Sequence, residues 1–364
     1  MPDPFPMWRG GTLHGARIAY ETWGTLNAAR DNALLLFTGL SPSAHAASSH
    51  EDPSAGWWER MIGPGLAIDT DQFFVICVNS LGSCFGSTGP ASIDPATGKP
   101  YRLTFPDLSV EDIARAGHET VRSLGIQRVD TVMGSSLGGI VVLAYVAQFP
   151  GAARRLVSIS GTMAASPFAI GLRSIQREAI TTDPDWQDGH YTAEKPPRAG
   201  QRLARKLGTL TYRSAAEWLQ RFDRQPIRPD MKDKGDRFTS EFAVQGYLEA
   251  QASKFVSAFD ANCYLYLSRS IDRFDLGKHG DPEAVLRRAR LEQALVIGVE
   301  SDFLFSIAEQ RAVARALEKA GVVTYFRPLH CIEGHDSFLI DIERFGREIR
   351  SFLVQRSSAH LSSL

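Results

Sequence analysis

Six short apolar runs recur along this chain, and segments with a helical pattern lie between most of them. The runs occupy residues 32–37, 73–78, 129–133, 156–159, 294–297 and 322–326. A strand that is apolar on both faces needs a cover of helices on both sides, which is the usual situation in a parallel sheet. The sequence therefore predicts an α/β protein with a mostly parallel central sheet.

Helical patterns occupy the spaces between these runs. Ser109-Val-Glu-Asp112 has the form of a capping box, and an amphipathic pattern follows it through Ser123. Further helices are predicted at 139–148, 308–319 and 342–354, and a loosely alternating N-terminal antiparallel strand is predicted at 11–23.

The middle of the chain does not show this alternation of strand and helix. It is rich in Arg, Gln, Asp and aromatic residues, with helical patterns at 170–180, 201–207 and 242–259. We interpret residues 166–290 as a helical lid insertion over a core domain formed by residues 1–165 and 291–364. A loop is predicted at 224–237 within the insertion, and a frayed end is predicted at 357–364 at the end of the core domain.

Charge and composition exclude several classes of protein. The 40 basic and 41 acidic residues leave a net charge of -1, so neither a nucleic acid nor a membrane surface is an expected partner. No apolar run approaches the length of a membrane span, and the first residues lack the pattern of a signal peptide. The four cysteines form no C-x-x-C pair, so we expect free thiols, no metal site and a cytoplasmic protein.

A strong signal for chemistry follows the run at 129–133. Gly134-Ser-Ser-Leu-Gly138 matches G-x-S-x-G, and a helical pattern of small and apolar residues comes next. A strand, this turn and a helix form the nucleophile elbow that is typical of the α/β-hydrolase fold. The register of the motif identifies Ser136, not Ser135, as the nucleophile.

A second match to the pattern has a cysteine at its centre. Gly82-Ser-Cys-Phe-Gly86 also follows an apolar run, but Pro90 comes soon after it and a helix cannot continue there. We therefore interpret the segment around Cys84 as a loop near the site and not as the nucleophile.

A serine hydroxyl needs a base, and the base needs an orienting carboxylate. In this fold the acid follows the nucleophile in the chain and the histidine comes last. His335 lies in the loop after the last apolar run, and His330 is the alternative. Asp302 follows the preceding run, with Glu300 as its alternative.

An oxyanion hole in this fold uses two backbone N–H groups. One is expected from Leu137, directly after the nucleophile. The other is expected from the loop after the run at 32–37, where we favour the N–H of Leu40.

Motifs along nearly the whole chain resemble one family, the homoserine/serine O-acyltransferases of methionine and cysteine biosynthesis. The matching segments are Gly56-Trp-Trp58, Gly63-Pro-Gly65, Asn79 to Cys84, Gly86 to Pro90, Arg173 to Ile180, Asp188 to Tyr191, Ala204 to Gly208, Tyr264 to Leu267 and Gly334 to Asp336. The resemblance implies ping-pong transfer from acetyl-CoA or succinyl-CoA, through an acyl-serine enzyme, to the hydroxyl of an amino acid. It implies no permanently bound cofactor, and a homodimer through the lid is expected.

The resemblance also carries residue roles. Ser136, Asp302 and His335 match the family triad. Arg177 matches an arginine that binds the carboxylate of the acceptor, and Asp336 matches an aspartate that binds its amino group. This division suits an α-amino acid, which presents one anion and one cation.

Two segments favour a serine acceptor over homoserine. Asn79 to Cys84 and Pro100 to Leu103 resemble the serine-acylating branch. Leu304 stands where some succinyl-specific homoserine relatives carry an arginine, which argues against that subtype. The alternatives are a homoserine O-acetyltransferase and an esterase or thioesterase with the same triad.

Overall fold

The computed structural model describes residues 1–227 and 240–360. Most of the loop predicted at 224–237 lies outside the described residues, as do the last four residues of the frayed end predicted at 357–364. The last helix continues through His360.

The strands and helices, numbered in chain order, have the following bounds. The strands are β1 (Phe5–Pro6), β2 (Thr12–Leu13), β3 (Tyr20–Trp23), β4 (Ala33–Phe37), β5 (Ile62–Gly63), β6 (Ile68–Asp69), β7 (Phe74–Val78), β8 (Val129–Ser135), β9 (Ala153–Ile159), β10 (Gln293–Val299) and β11 (Val323–Leu329). The helices are α1 (Val110–Ser123), α2 (Leu137–Gln148), α3 (Pro167–Thr181), α4 (Arg198–Thr211), α5 (Ala215–Phe222), α6 (Ala243–Ala258), α7 (Ala261–Arg273), α8 (Pro282–Arg288), α9 (Ile307–Lys319), α10 (Ser337–Ile340) and α11 (Ile342–His360).

The central sheet has seven strands in the order β11-β10-β9-β8-β4-β7-β3. All neighbours are parallel except β3, which pairs antiparallel with β7 at one edge. Each of the six predicted runs forms a strand of this sheet, which confirms the α/β prediction. The alternating stretch at 11–23 is divided: Tyr20–Trp23 joins the sheet, whereas Thr12–Leu13 pairs with Phe5–Pro6.

The two faces of the sheet pack into two separate hydrophobic clusters. Leu35 points into the cluster that contains α1 and α2, while its neighbours Leu34 and Leu36 point into the cluster that contains Phe345 and Phe352 of α11. Because successive side chains of a strand alternate between faces, a run of buried leucines requires this cover on both sides.

Local capping signals explain where α1 and α9 begin. The Ser109 side chain accepts a hydrogen bond from the Asp112 N–H, and Asp112 accepts one from the Ser109 N–H, as the sequence predicts. Ser306 and Glu309 form the same reciprocal pair at the start of α9. Each pair satisfies N–H groups that a helix start would otherwise leave open.

Among the described residues between β9 and β10 there are six α-helices, α3 to α8. Within this segment α4 packs against both α3 and α6, and α3 packs against α7. The last helix, α8, packs instead against α2 and α9 of the core layer. In residues 1–227 and 240–360, no helix combines the length and the apolar character needed to cross a bilayer.

Candidate active site

The turn between β8 and α2 has the strained backbone of a nucleophile elbow. Ser136 sits there with φ 56° and ψ -118°, in a region that non-glycine residues rarely adopt. A Cβ at Gly134 would lie 2.3 Å from the Gly138 carbonyl carbon, and one at Gly138 would lie 2.2 Å from the Phe37 carbonyl oxygen. Both glycines are therefore required for the strand and helix to meet this closely, which projects Ser136 above the sheet.

Three residues from distant parts of the chain form a hydrogen-bonded chain at this point. His335 Nε2 lies 2.7 Å from Ser136 Oγ, and His335 Nδ1 lies 2.7 Å from Asp302 Oδ2. They follow the carboxyl ends of β8, β10 and β11, which meet at one edge of a parallel sheet. The arrangement is that of a Ser-His-Asp triad, with the base between nucleophile and acid.

The carboxylate of Asp302 is held in place by its own loop. Its Oδ1 accepts hydrogen bonds from the N–H groups of Leu304 at 2.9 Å and Phe305 at 3.0 Å. Gln310 Nε2 approaches Oδ2 at 3.3 Å. One oxygen is thus fixed by backbone while the other faces His335, which sets the ring orientation.

The alternative base and acid are paired with each other elsewhere. His330 Nδ1 lies 2.6 Å from Glu300 Oε2, and the two side chains are 80% and 43% exposed. Both Asp302 and His335 are only 3% exposed. The structure therefore brings the favoured residues to Ser136 and leaves the alternatives at the surface.

The surroundings of His335 favour its charged form despite its burial. Burial lowers the pKa of His335, but the Asp302 carboxylate acts against it by charge and by hydrogen bond, and the net pKa is raised from 6.5. An imidazolium that forms when Ser136 loses its proton is stabilised in this position.

The positions of the predicted oxyanion donors are compatible with that role. Leu137 is the first residue of α2, so its N–H has no acceptor within the helix. Leu40 contributes to the walls of both cavities that adjoin Ser136. The roles of these two N–H groups stay predictions.

Two cavities meet at Ser136. The first is narrow and is lined mainly by the insertion, with Leu172, Arg173, Gln176, Tyr212, Tyr264 and Ile271 in its wall. The second is also narrow and is lined mainly by core loops, with Gly39, Ser41, Pro42, His335, Asp336 and Phe338 in its wall. A wider surface groove of about 1040 Å³ beside Arg60 and Arg347 contains no triad residue.

Arg173 is a buried cation in the wall of the first cavity. Its Nε donates to Asp272 Oδ1 at 2.5 Å, and its guanidinium carbon lies 5.7 Å from the centre of the Phe305 ring. Its Nη2 is buried and has no hydrogen-bond partner. Since buried donors are nearly always satisfied, this nitrogen has capacity for an anionic ligand.

Arg177, the predicted partner of the acceptor carboxylate, does not line either cavity. Its Nη1 donates to Ser268 Oγ at 2.9 Å and its Nη2 pairs with Asp272 Oδ2 at 2.7 Å. The arginine one helical turn earlier, Arg173, reaches the cavity instead. The role predicted for Arg177 stays a prediction.

Asp336 lines the second cavity beside His335, as the prediction of an amine-binding carboxylate requires. Its Oδ2 lies 3.3 Å from Arg213 Nε. Burial raises the pKa of Asp336, and the positive charges of Arg213, His335 and Arg205 only partly offset this effect. A substrate ammonium group would add a further charge that favours the carboxylate.

Arg205 is a second cation that our reading of the sequence did not single out. Its guanidinium carbon lies 4.5 Å from the Phe255 ring centre and 5.8 Å from that of Tyr212, and its Nε is buried without a hydrogen-bond partner. The residue lies in the family-like segment Ala204 to Gly208, which was the only signal in the sequence.

One group of potential metal ligands occurs among the described residues. Ligand atoms of Cys331, Glu333 and Asp341 lie within 4.8 Å of one another. Arg344 already supplies a cation there, with its Nε 3.1 Å from Asp341 Oδ2 and its Nη1 3.8 Å from Cys331 Sγ. Arg344 thus offsets one of the two carboxylate charges of this group.

Comparisons with known proteins agree with this geometry. Residues 32–339 match the family model of the alpha/beta hydrolase fold. The structure is similar to the crystal structure of homoserine O-acetyltransferase from Bacillus anthracis, with a TM-score of 0.87 and 27% identity over 96% of this chain and 95% of that one. The fold and triad thus define an α/β-hydrolase.

Two curated relatives narrow this class. The chain is 57% identical over 359 residues to a serine O-succinyltransferase of Litchfieldella anticariensis, with 98% of each chain covered. It is 54% identical over 358 residues to an L-serine/homoserine O-acetyltransferase of Streptomyces lavendulae, with 97% of this chain and 96% of that one covered. The chain belongs to the serine/homoserine O-acyltransferase family and is an acyltransferase, as the resemblance predicts.

Proposed function

We propose that the protein transfers a succinyl group from succinyl-CoA to the hydroxyl of L-serine, through a succinyl ester on Ser136. The observation that carries the choice of donor is Arg173. Arg173 lines the cavity beside Ser136 and has a buried Nη2 without a hydrogen-bond partner, and the distal carboxylate of a succinyl group in this cavity would need a cation. Acetyl has no such carboxylate. The serine O-succinyltransferase of Litchfieldella anticariensis supports the same choice.

In the first half-reaction, His335 takes the proton of Ser136 while the serine oxygen attacks the thioester carbonyl. The N–H groups of Leu40 and Leu137 hold the developing oxyanion. His335 then gives its proton to the leaving thiol of coenzyme A. Asp302 holds the ring so that Nε2 faces the reaction throughout.

In the second half-reaction, L-serine occupies the second cavity beside His335. Asp336 binds its ammonium group, and Arg205, close enough to lower the pKa of Asp336, binds its carboxylate. His335 deprotonates the acceptor hydroxyl, which attacks the ester carbonyl of the acyl-enzyme; the bond to Ser136 Oγ then breaks, and His335 returns the proton to Ser136. The succinyl group and L-serine together carry two carboxylates and one ammonium, and this scheme matches them to Arg173, Arg205 and Asp336.

We infer an indirect part for Arg177 in this scheme, in place of the contact with the acceptor carboxylate that the resemblance implies. Its Nη2 pairs with one oxygen of Asp272 while Arg173 Nε donates to the other. Arg177 thereby balances the charge of Asp272 and fixes the carboxylate that aims Arg173. We assign it as a positioning residue for the donor subsite.

Exclusion of water separates transfer from hydrolysis. The first cavity is walled by α3, by α7 and by Tyr212 just after α4, which place apolar and aromatic side chains such as Leu172 and Tyr264 around the acyl site. We infer that the segment 166–290 acts as the lid that keeps water from the acyl-enzyme. This role needs the helices to remain closed while the acceptor enters.

The test is thiol release from succinyl-CoA and acetyl-CoA, each with L-serine, L-homoserine or no acceptor. We expect rapid release of the thiol only when succinyl-CoA and L-serine are both present. Release from acetyl-CoA that depends on L-homoserine would instead support the alternative acyltransferase. Equal release without any acceptor would establish a thioesterase and remove the roles of Asp336 and Arg205.

The relative from Streptomyces lavendulae favours one alternative, acetyl transfer to serine or homoserine. The two activities differ in what Arg173 does, because an acetyl group leaves its Nη2 unpaired. An enzyme whose turnover of acetyl-CoA is unchanged in Arg173→Gln and whose turnover of succinyl-CoA is negligible would be an acetyltransferase. The effects of Arg173→Gln on the turnover of the two donors therefore separate the two candidate functions, whichever acceptor is used.

We also propose a homodimer through the insertion. Large apolar side chains are exposed on α3, α4 and α5: Phe168, Ile175, Leu203, Leu210 and Leu219. A second copy is the occupant that buries such a face symmetrically. Light scattering should give the mass of a dimer, and Leu203→Arg should give a monomer; a monomeric parent protein would refute the proposal.

The product would be an activated serine ester, which suits displacement of its ester oxygen by a sulfur nucleophile. We therefore place the reaction in cytoplasmic cysteine or methionine biosynthesis. A deletion strain should require cysteine or methionine for growth, and growth without either would contradict this placement.

A further inference from the structure

We propose that Cys84 and Cys263 form a peroxide-sensitive thiol pair whose disulfide fastens the helical insertion to the core and slows turnover. Cys84 is the central residue of Gly82-Ser-Cys-Phe-Gly86, the second match to the elbow pattern, and the acyl-transfer mechanism does not use it. It lies in the loop after β7, whereas Cys263 lies in the first turn of α7, so a bond between them would join the two parts of the molecule.

Both cysteines contact Asp260, which accepts a hydrogen bond from the Cys263 N–H at 2.9 Å through its side chain, and each thiol lies close enough to influence the pKa of the other. Cys84 Sγ also accepts a hydrogen bond from the Asp260 N–H at 3.4 Å, and it lies 3.9 Å from the Ala258 carbonyl oxygen. The nearby rings of Phe85 and Phe259 pack edge to face at 5.5 Å. The loop and the α6–α7 junction are thus already held together around the sulfur atoms.

The environment of Cys84 favours the reactive thiolate. Its sulfur faces the N-terminus of α7 and accepts from a backbone N–H there, where the helix dipole stabilises negative charge. The hydrogen bond from Cys263 lowers the pKa of the Cys84 thiol, and the charge of the Asp260 carboxylate acts in the opposite direction. Cys84 is half-buried, so peroxide can reach it.

The partner and the two remaining cysteines are poor targets for direct oxidation. Cys263 and Cys77 are fully buried, and Cys331 is nearly so. Burial raises the pKa of all three thiols, to about 11 for Cys331. Cys84 is therefore the attacking thiol and Cys263 the resolving thiol, whereas Cys77 and Cys331 serve as internal controls.

The chemistry balances in two steps. The Cys84 thiolate attacks hydrogen peroxide, which gives a sulfenic acid and hydroxide. The Cys263 sulfur then attacks the sulfenic sulfur, and water leaves as the disulfide forms. Two thiols lose two electrons and two protons, and one peroxide becomes two waters.

The disulfide would lie close to the catalytic machinery on both sides. Tyr264, the residue after Cys263, lines the cavity beside Ser136. On the core side, the Ser80 hydroxyl lies 3.5 Å from that of Thr38, which stands two residues before Leu40. A covalent tie here restricts the motion of α7 against the oxyanion loop, and turnover falls if that motion accompanies exchange of substrates.

The experiment treats the whole reduced enzyme with hydrogen peroxide, quenches it with an alkylating reagent and reads intact mass and peptide maps. We expect two of the four thiols to disappear, a cross-linked peptide pair that contains Cys84 and Cys263, and a fall in kcat that dithiothreitol restores. The turnover readout rests on the proposed function, but the disulfide readout does not, so the two failures are distinguishable.

Cys263→Ser is the matched control. It should keep the basal activity, form no disulfide and accumulate a sulfenic acid on Cys84 that reacts with dimedone. Retention of all four thiols, or a disulfide that involves Cys77 or Cys331, would overturn the proposed pair. A Cys84–Cys263 disulfide with unchanged kcat would overturn its regulatory part.

Discussion

The core and the insertion contribute to the site in different ways. The core places Ser136, Asp302 and His335 at the ends of three parallel strands, and their mutual distances of 2.7 Å leave no freedom in their arrangement. The insertion contributes cations, Arg173 and Arg205, each with a buried nitrogen that lacks a hydrogen-bond partner. Within the triad the hydrogen bonds are complete, whereas each of these two arginines keeps one nitrogen without a partner.

This difference suggests a division of labour. A satisfied triad can act on any ester or thioester that reaches it, because its hydrogen bonds are internal to the protein. Under the proposed function, the unsatisfied nitrogens of Arg173 and Arg205 gain a partner when an anionic substrate binds. We therefore expect core substitutions to lower kcat for every substrate pair, and insertion substitutions to change which pair is used.

The largest effect is expected from Ser136→Ala. Loss of the nucleophile should lower kcat by roughly 10⁶-fold with all donors, since the triad residues act as a unit. Steady-state thiol release measures the loss, and circular dichroism should show an unchanged fold. The neighbouring Ser135→Ala is the control, because its buried hydroxyl makes no hydrogen bond. Substantial activity in Ser136→Ala would contradict the assignment of the nucleophile.

Asp302→Asn comes next, with a loss of kcat of roughly 10⁴-fold. The amide removes the charge that stabilises the imidazolium and favours the wrong tautomer of His335. The loss should be equal for succinyl and acetyl donors, which single-turnover acylation can measure. Glu300→Gln is the control, since its partner is the exposed His330. Equal losses in both variants would reverse the choice of acid.

Arg173→Gln should distinguish the two donors. Removal of a charge-assisted hydrogen bond is worth about 1.5–3 kcal/mol, or roughly a 10- to 150-fold loss in kcat/KM for succinyl-CoA. Acetyl-CoA should be little affected, because it lacks the distal carboxylate. Arg173→Lys should recover part of the loss. Equal losses for both donors would show that Arg173 supports the fold and does not select the acyl group.

Arg213→Gln should weaken acceptor binding by a smaller factor. Arg213 opposes the effect of burial on Asp336, so its removal raises the pKa of Asp336 further. A carboxylate is needed to bind the ammonium group, and protonation removes it as the pH falls. As the pH is lowered, the KM for the acceptor should therefore begin to rise at a higher pH than in the parent enzyme, and kcat should stay nearly unchanged. Arg213→Lys should restore the parent profile, and a profile that does not move would refute this coupling.

The pH dependence of acylation is the mildest test. His335 must be neutral to accept a proton, and its pKa is raised from 6.5. The rate of acylation should therefore increase with pH through a midpoint above 6.5 and decrease below it. Stopped-flow release of the thiol over this range measures the midpoint. A midpoint below 6.5 would mean that burial outweighs the charge of Asp302.

The sequence by itself determined the sheet and the triad. Apolar runs identify buried strands, and Gly134 and Gly138 identify the elbow, because both signals depend on neighbours close in the chain. The chain order of nucleophile, acid and base then leaves few candidates for the acid in the loop after β10 and for the base in the loop after β11. Helices α5, α7 and α8 were not anticipated, since they are short or mix polar and aromatic residues.

Only the tertiary structure decided which arginine of α3 lines the cavity beside Ser136. Arg173 and Arg177 lie one turn apart on the same face of α3, and nothing local distinguishes them. Their roles depend on where Asp272 and Ser268 of α7 fall, almost a hundred residues later in the chain. The electrostatic partners of these two arginines are set by the packing of α3 against α7. That packing depends on contacts between segments far apart in the chain, and no periodicity in the sequence predicts those contacts.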